Sequence, residues 1–243
     1  MKKIFTLLLF LGISVFGQTQ YDWRDVASNG DWQVQNHWWN GTTTAIPGGG
    51  EILFFNNNVQ TTGWNNLSAT NRHRIRFGSS ASVSRYLNGE TINTFYDFGG
   101  VRPYIQNNSV TYHKVNFPFN VGYSGGMELN PVDGDLEIGQ AVSNGGFSVY
   151  IFGNNSKLIT FSGVLSGTGK LILEQYSKVN IISASTFTGD VEVNSGEFWV
   201  GTNGTLGSGT IKVGNTSTSN TTKLYTSNSS VTISRAITVG NGN

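Results

Sequence analysis

The chain has 243 residues, no cysteine, and a net charge of +1 from 15 basic and 14 acidic residues. The absence of thiols excludes disulfides, thiolate metal sites, iron–sulfur clusters and cysteine nucleophiles. The balanced charge leaves no electrostatic case for nucleic acid or an anionic membrane surface as a partner. Charged residues make up 12% of the chain, about half the usual share of a globular domain. Its 32 glycines and abundant Asn, Ser and Thr instead favour short strands joined by tight turns.

Residues 1–17 carry the three parts of a secretory signal. Lys2 and Lys3 precede an apolar run from Ile4 to Phe16, and Val15 and Gly17 suit a cleavage before Gln18. The run falls short of the roughly 20 apolar residues that cross a bilayer, and no cysteine offers a lipid anchor. An exported protein is expected, secreted or on the cell surface, with no membrane insertion within the chain.

Residues 18–60 are rich in tryptophan and punctuated by turn signals at Asn29-Gly30, Asn40-Gly41 and Pro47 followed by three glycines, before a short buried strand, EILFF. Trp23, Trp32, Trp38, Trp39 and Trp64 admit two readings. They plug the open first coil of a solenoid, the preferred reading, or they stack exposed rings on sugars.

Residues 61–243 then read as a series of short strands. HRIRF, TINTFYDF, SVTYHKVNF and MELN come first. From about residue 135 the pattern is regular, with LEI, FSVYIF, LITF, KLIL, KVNII, VEV, EFWV, TIKV, KLY, VTI and AITV separated by Gly, Asn or Ser. No window after the signal has helical periodicity. The chain is therefore all-β.

The phrase FSGVLSGTGKLIL, starting at Phe161, is nearly rewritten as FTGDVEVNSGEFWV, starting at Phe187, and echoed by LGSGTIKV from Leu206. The 26-residue offset between the two phenylalanines lies in the range of stacked repeats. A β-sandwich, the alternative, has no reason to repeat such a phrase, whereas every coil of a parallel β-helix faces the same geometry. In that fold Leu171, Leu173, Val191, Val193, Ile211 and Val213 point into the core. Gly163, Gly169, Gly189 and Gly196 allow the sharp corners between strands, where positive φ is often needed. Coils of roughly 20 to 25 residues give about ten coils and a rod of about 50 Å.

These residues resemble the autotransporter-associated β-strand repeat. Ser166, Gly167, Gly169, Leu171 and Leu173 fit its SGxGxLxL part. Thr186, Phe187, Thr188, Gly189, Val193, Gly196 and Val200 fit its TFTG phrase, and Leu206, Gly207, Ser208, Gly209 and Val213 its LGSG close. Phe198 replaces the usual Leu, and Val179 to Ile182 replaces LTLSG, both remaining apolar at inward positions. The match covers roughly residues 160 to 214. The Trp-rich opening is similar to the segment that often precedes such repeats. The resemblance implies a right-handed parallel β-helix on exported proteins of Gram-negative bacteria. It also implies that the chain, stopping within another coil, is the N-terminal part of a longer protein.

Candidate chemistry is sparse. Asp133 and Asp135 form the best local carboxylate pair, but their Asp-Gly-Asp setting reads first as a turn, with too few carboxylates for calcium. His37, His73 and His113 are scattered. No G-x-S-x-G stands in a strand–turn–helix context. The run RHRIRF, from Arg72, reads as an exposed strand face with Ile75 and Phe77 inward. The sequons at Asn203 and Asn220 follow from the abundance of Asn and Thr. The expectation is a non-catalytic stalk or adhesin-like protein without cofactor or metal, with a surface or extracellular glycan or protein as partner. A glycan-binding module using the N-terminal tryptophans and a β-helix polysaccharide-degrading enzyme are the alternatives.

Overall fold

A computed structural model describes residues 19–24, 30–33, 35–57, 62–67, 74–95, 99–154, 157–201, 206–214, 221–227 and 229–240. The signal segment, His73 and the sequons at Asn203 and Asn220 lie outside the described residues. Apart from a three-residue 3-10 turn at Gln35–His37, every regular element among the described residues is a strand.

The strands form three sheets, of eleven, eight and four members. The chain visits them in turn: Met127–Pro131 lies in the long sheet, Leu136–Ile138 in the second, Val142–Ser143 in the short one, and Val149–Phe152 returns to the long sheet. Each strand pairs in parallel with its counterpart one coil away, except Trp38–Trp39, which runs antiparallel to Gln20–Trp23. This is a β-solenoid. The sandwich alternative, built of antiparallel sheets, is set aside by the parallel ladders.

Down one column of the long sheet, Leu129, Ile151, Leu173, Val193, Val213 and Val239 are register partners, spaced 22, 22, 20, 20 and 26 residues apart. In the second sheet Val115, Ile138, Phe161, Ile181 and Val200 stack likewise. Phe161 therefore aligns with Ile181, 20 residues on, and not with Phe187. The true repeated phrase is Gly-x-apolar-x-apolar beginning at Gly169, Gly189 and Gly209, with Leu171, Val191 and Ile211 in register. The expected 26-residue offset matched two different corners of the coil, because Phe-x-Gly occurs at both.

Alternation drives the packing. Leu171, Leu173, Val191, Val193 and Ile211 are fully buried as expected, while Val213 is half-buried beside the last described strand. One continuous cluster runs from Tyr21 to Ile211. Each fully buried aliphatic or phenyl side chain contributes about 1.5–3 kcal/mol relative to exposure.

The corner glycines need a correction. Of the four expected at positive φ only Gly196 has it, at 103°. Gly163, Gly169 and Gly189 are required for a different reason: a Cβ at these positions would overlap the carbonyl oxygens of Gln140, Phe147 and Gly169 on the preceding coil. Stacking at strand spacing brings backbone against backbone there, and only a hydrogen atom fits.

At the N-terminal end Trp23, Trp32 and Trp38 are buried against one another and Phe55, with Trp23 and Trp38 centroids 4.8 Å apart. The Trp38 indole N–H donates to the Trp32 carbonyl at 2.9 Å. With Trp38–Trp39 as an antiparallel outer strand, this cluster covers the first coil and ends the parallel ladder. At the other end Ile237 and Val239 are exposed.

Candidate functional site

His113 and Ser109 make a serine–histidine hydrogen bond, the opening requirement of a nucleophilic site. The His113 ring is fully buried and stacked on Phe77 at 4.1 Å. Its Nδ1 accepts the Arg85 backbone N–H at 3.1 Å, which leaves Nε2–H to donate to Ser109 Oγ at 2.6 Å. Ser109 passes the bond on to Asn107 Oδ1 at 2.9 Å. The polarity is the reverse of a catalytic base, and both side chains are sealed from solvent. Burial, aided by the nearby Arg85 charge, lowers the imidazole pKa to about 3, so the ring stays neutral. This network satisfies polar groups at a buried corner. His37 serves the cap, its Nδ1–H donating to the Asp31 carbonyl at 2.6 Å.

The Asp133–Asp135 segment is a corner. Gly134 fits against the Ser109 and Thr111 carbonyls, and Asp135 Oδ1 accepts the Leu158 N–H of the next coil at 2.9 Å. Asp190 does the same for Thr210 at 2.9 Å. The formal match GYSGG from Gly122 joins strands Phe119–Val121 and Met127–Pro131 with no helix behind it. Ile75 and Phe77 point inward as expected, but Arg74 is not exposed. It is 5% accessible, with its guanidinium donating to the Val101 and Arg102 carbonyls and lying over Tyr104. The long tether lets this charge fold back onto carbonyls of the next coil, which strand alternation does not foresee. Among the described residues no three His, Asp or Glu side chains converge as a metal site.

The N-terminal tryptophans are placed differently from one another. Trp32 and Trp38 are inaccessible, Trp39 is half-buried under Arg24 at 4.1 Å, and Trp64 is exposed on the second sheet. No row of open rings exists among them.

The outward face of the second sheet carries the richest chemistry. Lys114 pairs with Glu137 at 2.7 Å, and Tyr112 and Ser162 donate to the same carboxylate. Burial of Glu137 works to raise its pKa, but hydrogen bonds from Lys114, Ser162 and Tyr112 outweigh it and hold the carboxyl below its usual range. Burial, then the bond to Glu137, pushes the Tyr112 hydroxyl upward.

Further along, the face becomes concave. A groove of ≈ 400 Å³ is lined by Asp135, Leu158, Lys178, Asn180, Glu197 and Trp199. A smaller hollow of ≈ 160 Å³ adjoins it, sharing Lys178 and Glu197 and bordered by Tyr176 and Lys223. In register, Trp199 lies between Asn180 and Tyr225. Tyr225 stacks on the indole at 4.1 Å, and the indole N–H donates to Glu197 at 3.3 Å. Lys178 and Lys223 flank Glu197 at 3.8 and 3.1 Å. Burial raises the Glu197 pKa, but these lysines and Trp199 prevail and lower it. The rim residue Tyr176 and its neighbour Gln175 have φ of 59° and 50°, a left-handed two-residue corner held where Ser195 Oγ accepts the Tyr176 N–H at 2.8 Å.

Sequence reasoning passed over Trp199. The signal was present: with Phe198 and Val200 inward, alternation points Trp199 outward. What was missing was the register that puts Tyr225 and Asn180 beside it. Compared with family models, with curated proteins and with solved structures, the chain finds no match.

Proposed function

We propose that the protein is an exported, surface-displayed or secreted β-solenoid rod with structural or adhesive work and no catalysis of its own. The observation that carries this reading is the single core running unbroken from Tyr21 to Ile211 beneath parallel ladders, which makes a stiff body with long outward faces. Those faces are built for water: Lys170, Asp190, Glu192 and Lys212 interlock across coils at 2.9 to 3.4 Å. The signal-like residues 1–17 and the resemblance of residues 160–214 to autotransporter-associated repeats support an extracytoplasmic setting.

The test is expression of the full chain in a Gram-negative host, followed by fractionation and N-terminal sequencing. The expected product begins at Gln18 and lies outside the cytoplasm. A cytoplasmic product still carrying residues 1–17 overturns the reading.

A glycan-binding module is the second reading, but not through Trp32 and Trp38, which no sugar can reach. The feature that favours it is the groove beside Trp199.

A further inference from the structure

The geometry points to a saccharide-binding site in the groove beside Trp199, one that takes a neutral pyranose chain and holds it without cleaving it. This goes beyond the rod reading and stands or falls separately from it.

Several features of the groove converge. Its wall is aromatic: Tyr225 packs one face of the Trp199 indole, and the groove opens on the opposite side, toward the coils of Asn180, Leu158 and Asp135. The apolar C–H face of a pyranose stacks on such a ring. Its floor includes Leu158, which stands outward on its strand between Asp135 and Lys178.

Around this apolar strip stand acceptors and donors together: carboxylates of Asp135 and Glu197, the ammonium of Lys178, and the amide of Asn180. Sugar hydroxyls both donate and accept, so a mixed lining suits them better than one of a single sign. Asn180 Oδ1 is buried and has no hydrogen-bond partner within the protein. The charges in the lining nearly cancel, with Asp135 and Glu197 set against Lys178 and the adjoining Lys223. A polyanion or polycation gains nothing from such a site.

Size and rigidity also fit. Asp135, Leu158, Lys178 and Glu197 are neighbours on four successive coils, so the groove runs along the rod for about 14 Å at strand spacing. A volume of ≈ 400 Å³ is at the small-ligand end of binding cavities, enough for one or two sugar rings of a longer chain. The indole is pinned by Tyr225 and Glu197, and Glu197 by two lysines. Little side-chain freedom is then lost on binding.

Cleavage is excluded by the same geometry. The two carboxylates sit three coils apart, about 14 Å, beyond the 5–10 Å that glycoside hydrolysis needs. Glu197, ion-paired on both sides, is a poor proton donor.

The test is titration of the purified full chain with cello-, xylo-, malto- and chitotetraose, with polygalacturonate as the acidic comparator, by calorimetry. At least one neutral tetrasaccharide is expected to bind and to remain intact. Trp199→Ala is expected to weaken it at least tenfold, whereas Trp64→Ala, in an exposed indole at the far end of the same sheet, leaves it unchanged. Lys178→Ala, read beside a thermal melt, is expected to weaken binding without unfolding the protein and covers a folding failure of the first variant. No binding to any neutral tetrasaccharide, binding as tight as the parent's in folded Trp199→Ala and Lys178→Ala, preference for polygalacturonate, or hydrolysis of the bound chain would each overturn the proposal.

Discussion

At the scale of single residues, the glycines separate two physical demands that look alike in a sequence. Gly99 has φ of 63° with open space around a would-be Cβ, whereas Gly189 has ordinary φ but lies against the Gly169 backbone. Gly99→Ala is expected to cost about 1–2 kcal/mol, the left-handed penalty. Gly189→Ala should cost about 3 kcal/mol or more, because backbone must move. Urea denaturation of both variants checks the order, and a reversed order refutes the close-approach account.

His113 supplies a pH signature. Its folded pKa, about 3, lies below the unfolded value near 6.5. The unfolded chain therefore takes up a proton first as pH falls, so stability is full above pH ~6.5 and is lost progressively toward pH ~3. The lowered carboxyl groups of Glu137, Asp190 and Glu197 add acid losses only below their ordinary range near 4.5. Burial raises the Glu51 carboxyl, so this group takes up its proton in the folded state first and opposes the loss near the lower end of the window between ~6.5 and ~4.5. The part of the slope in that window that goes with the imidazole ring is the His113 signature. Urea unfolding against pH should slope there in the parent and flatten in His113→Asn; an unchanged slope in the variant contradicts the assignment.

At the scale of elements, alternation was enough to locate most strands. LEI, LITF and VEV coincide with Leu136–Ile138, Leu158–Phe161 and Val191–Val193, because period-2 burial is a local property. VTI, by contrast, forms no strand. What alternation does not carry is the pairing across coils. Arg85 meets His113 at a separation of 28 residues, and Trp199 meets Tyr225 at 26, so neither the buried polar network nor the groove could be assembled from local spacing. The repeat phase failed for a related reason: Phe-x-Gly stands once at each of two different corners, Phe161 in register with Ile138 and Ile181 and Phe187 elsewhere on the coil. The cap depends on one antiparallel strand, Trp38–Trp39. Trp38→Ala removes a fully buried indole and is expected to cost about 3–5 kcal/mol. It also uncovers the sheet edge and raises self-association. Denaturation with size-exclusion chromatography checks both effects; a stable monomer would mean that the cap is dispensable.

At the scale of the whole molecule, each coil rests on its neighbours and little else, so stability is a sum of coil and interface contributions. Such a body tolerates loss of a whole coil provided that the register survives. The 20-residue step from Leu171 to Val191 defines that unit. Deleting residues 172–191 joins Leu171 to Glu192, which takes the place of Ile172, its register partner. Deleting residues 162–187, the 26-residue step suggested by the repeated phrase, leaves a connection six residues too short between Phe161 and the long sheet. Comparison of the two deletions by cooperative thermal unfolding is the most direct test of a solenoid stacked on this register. The account predicts a folded, shorter rod from the first and loss of cooperative folding in the second. Equal behaviour of the two, or a better fold from the 26-residue deletion, would contradict it.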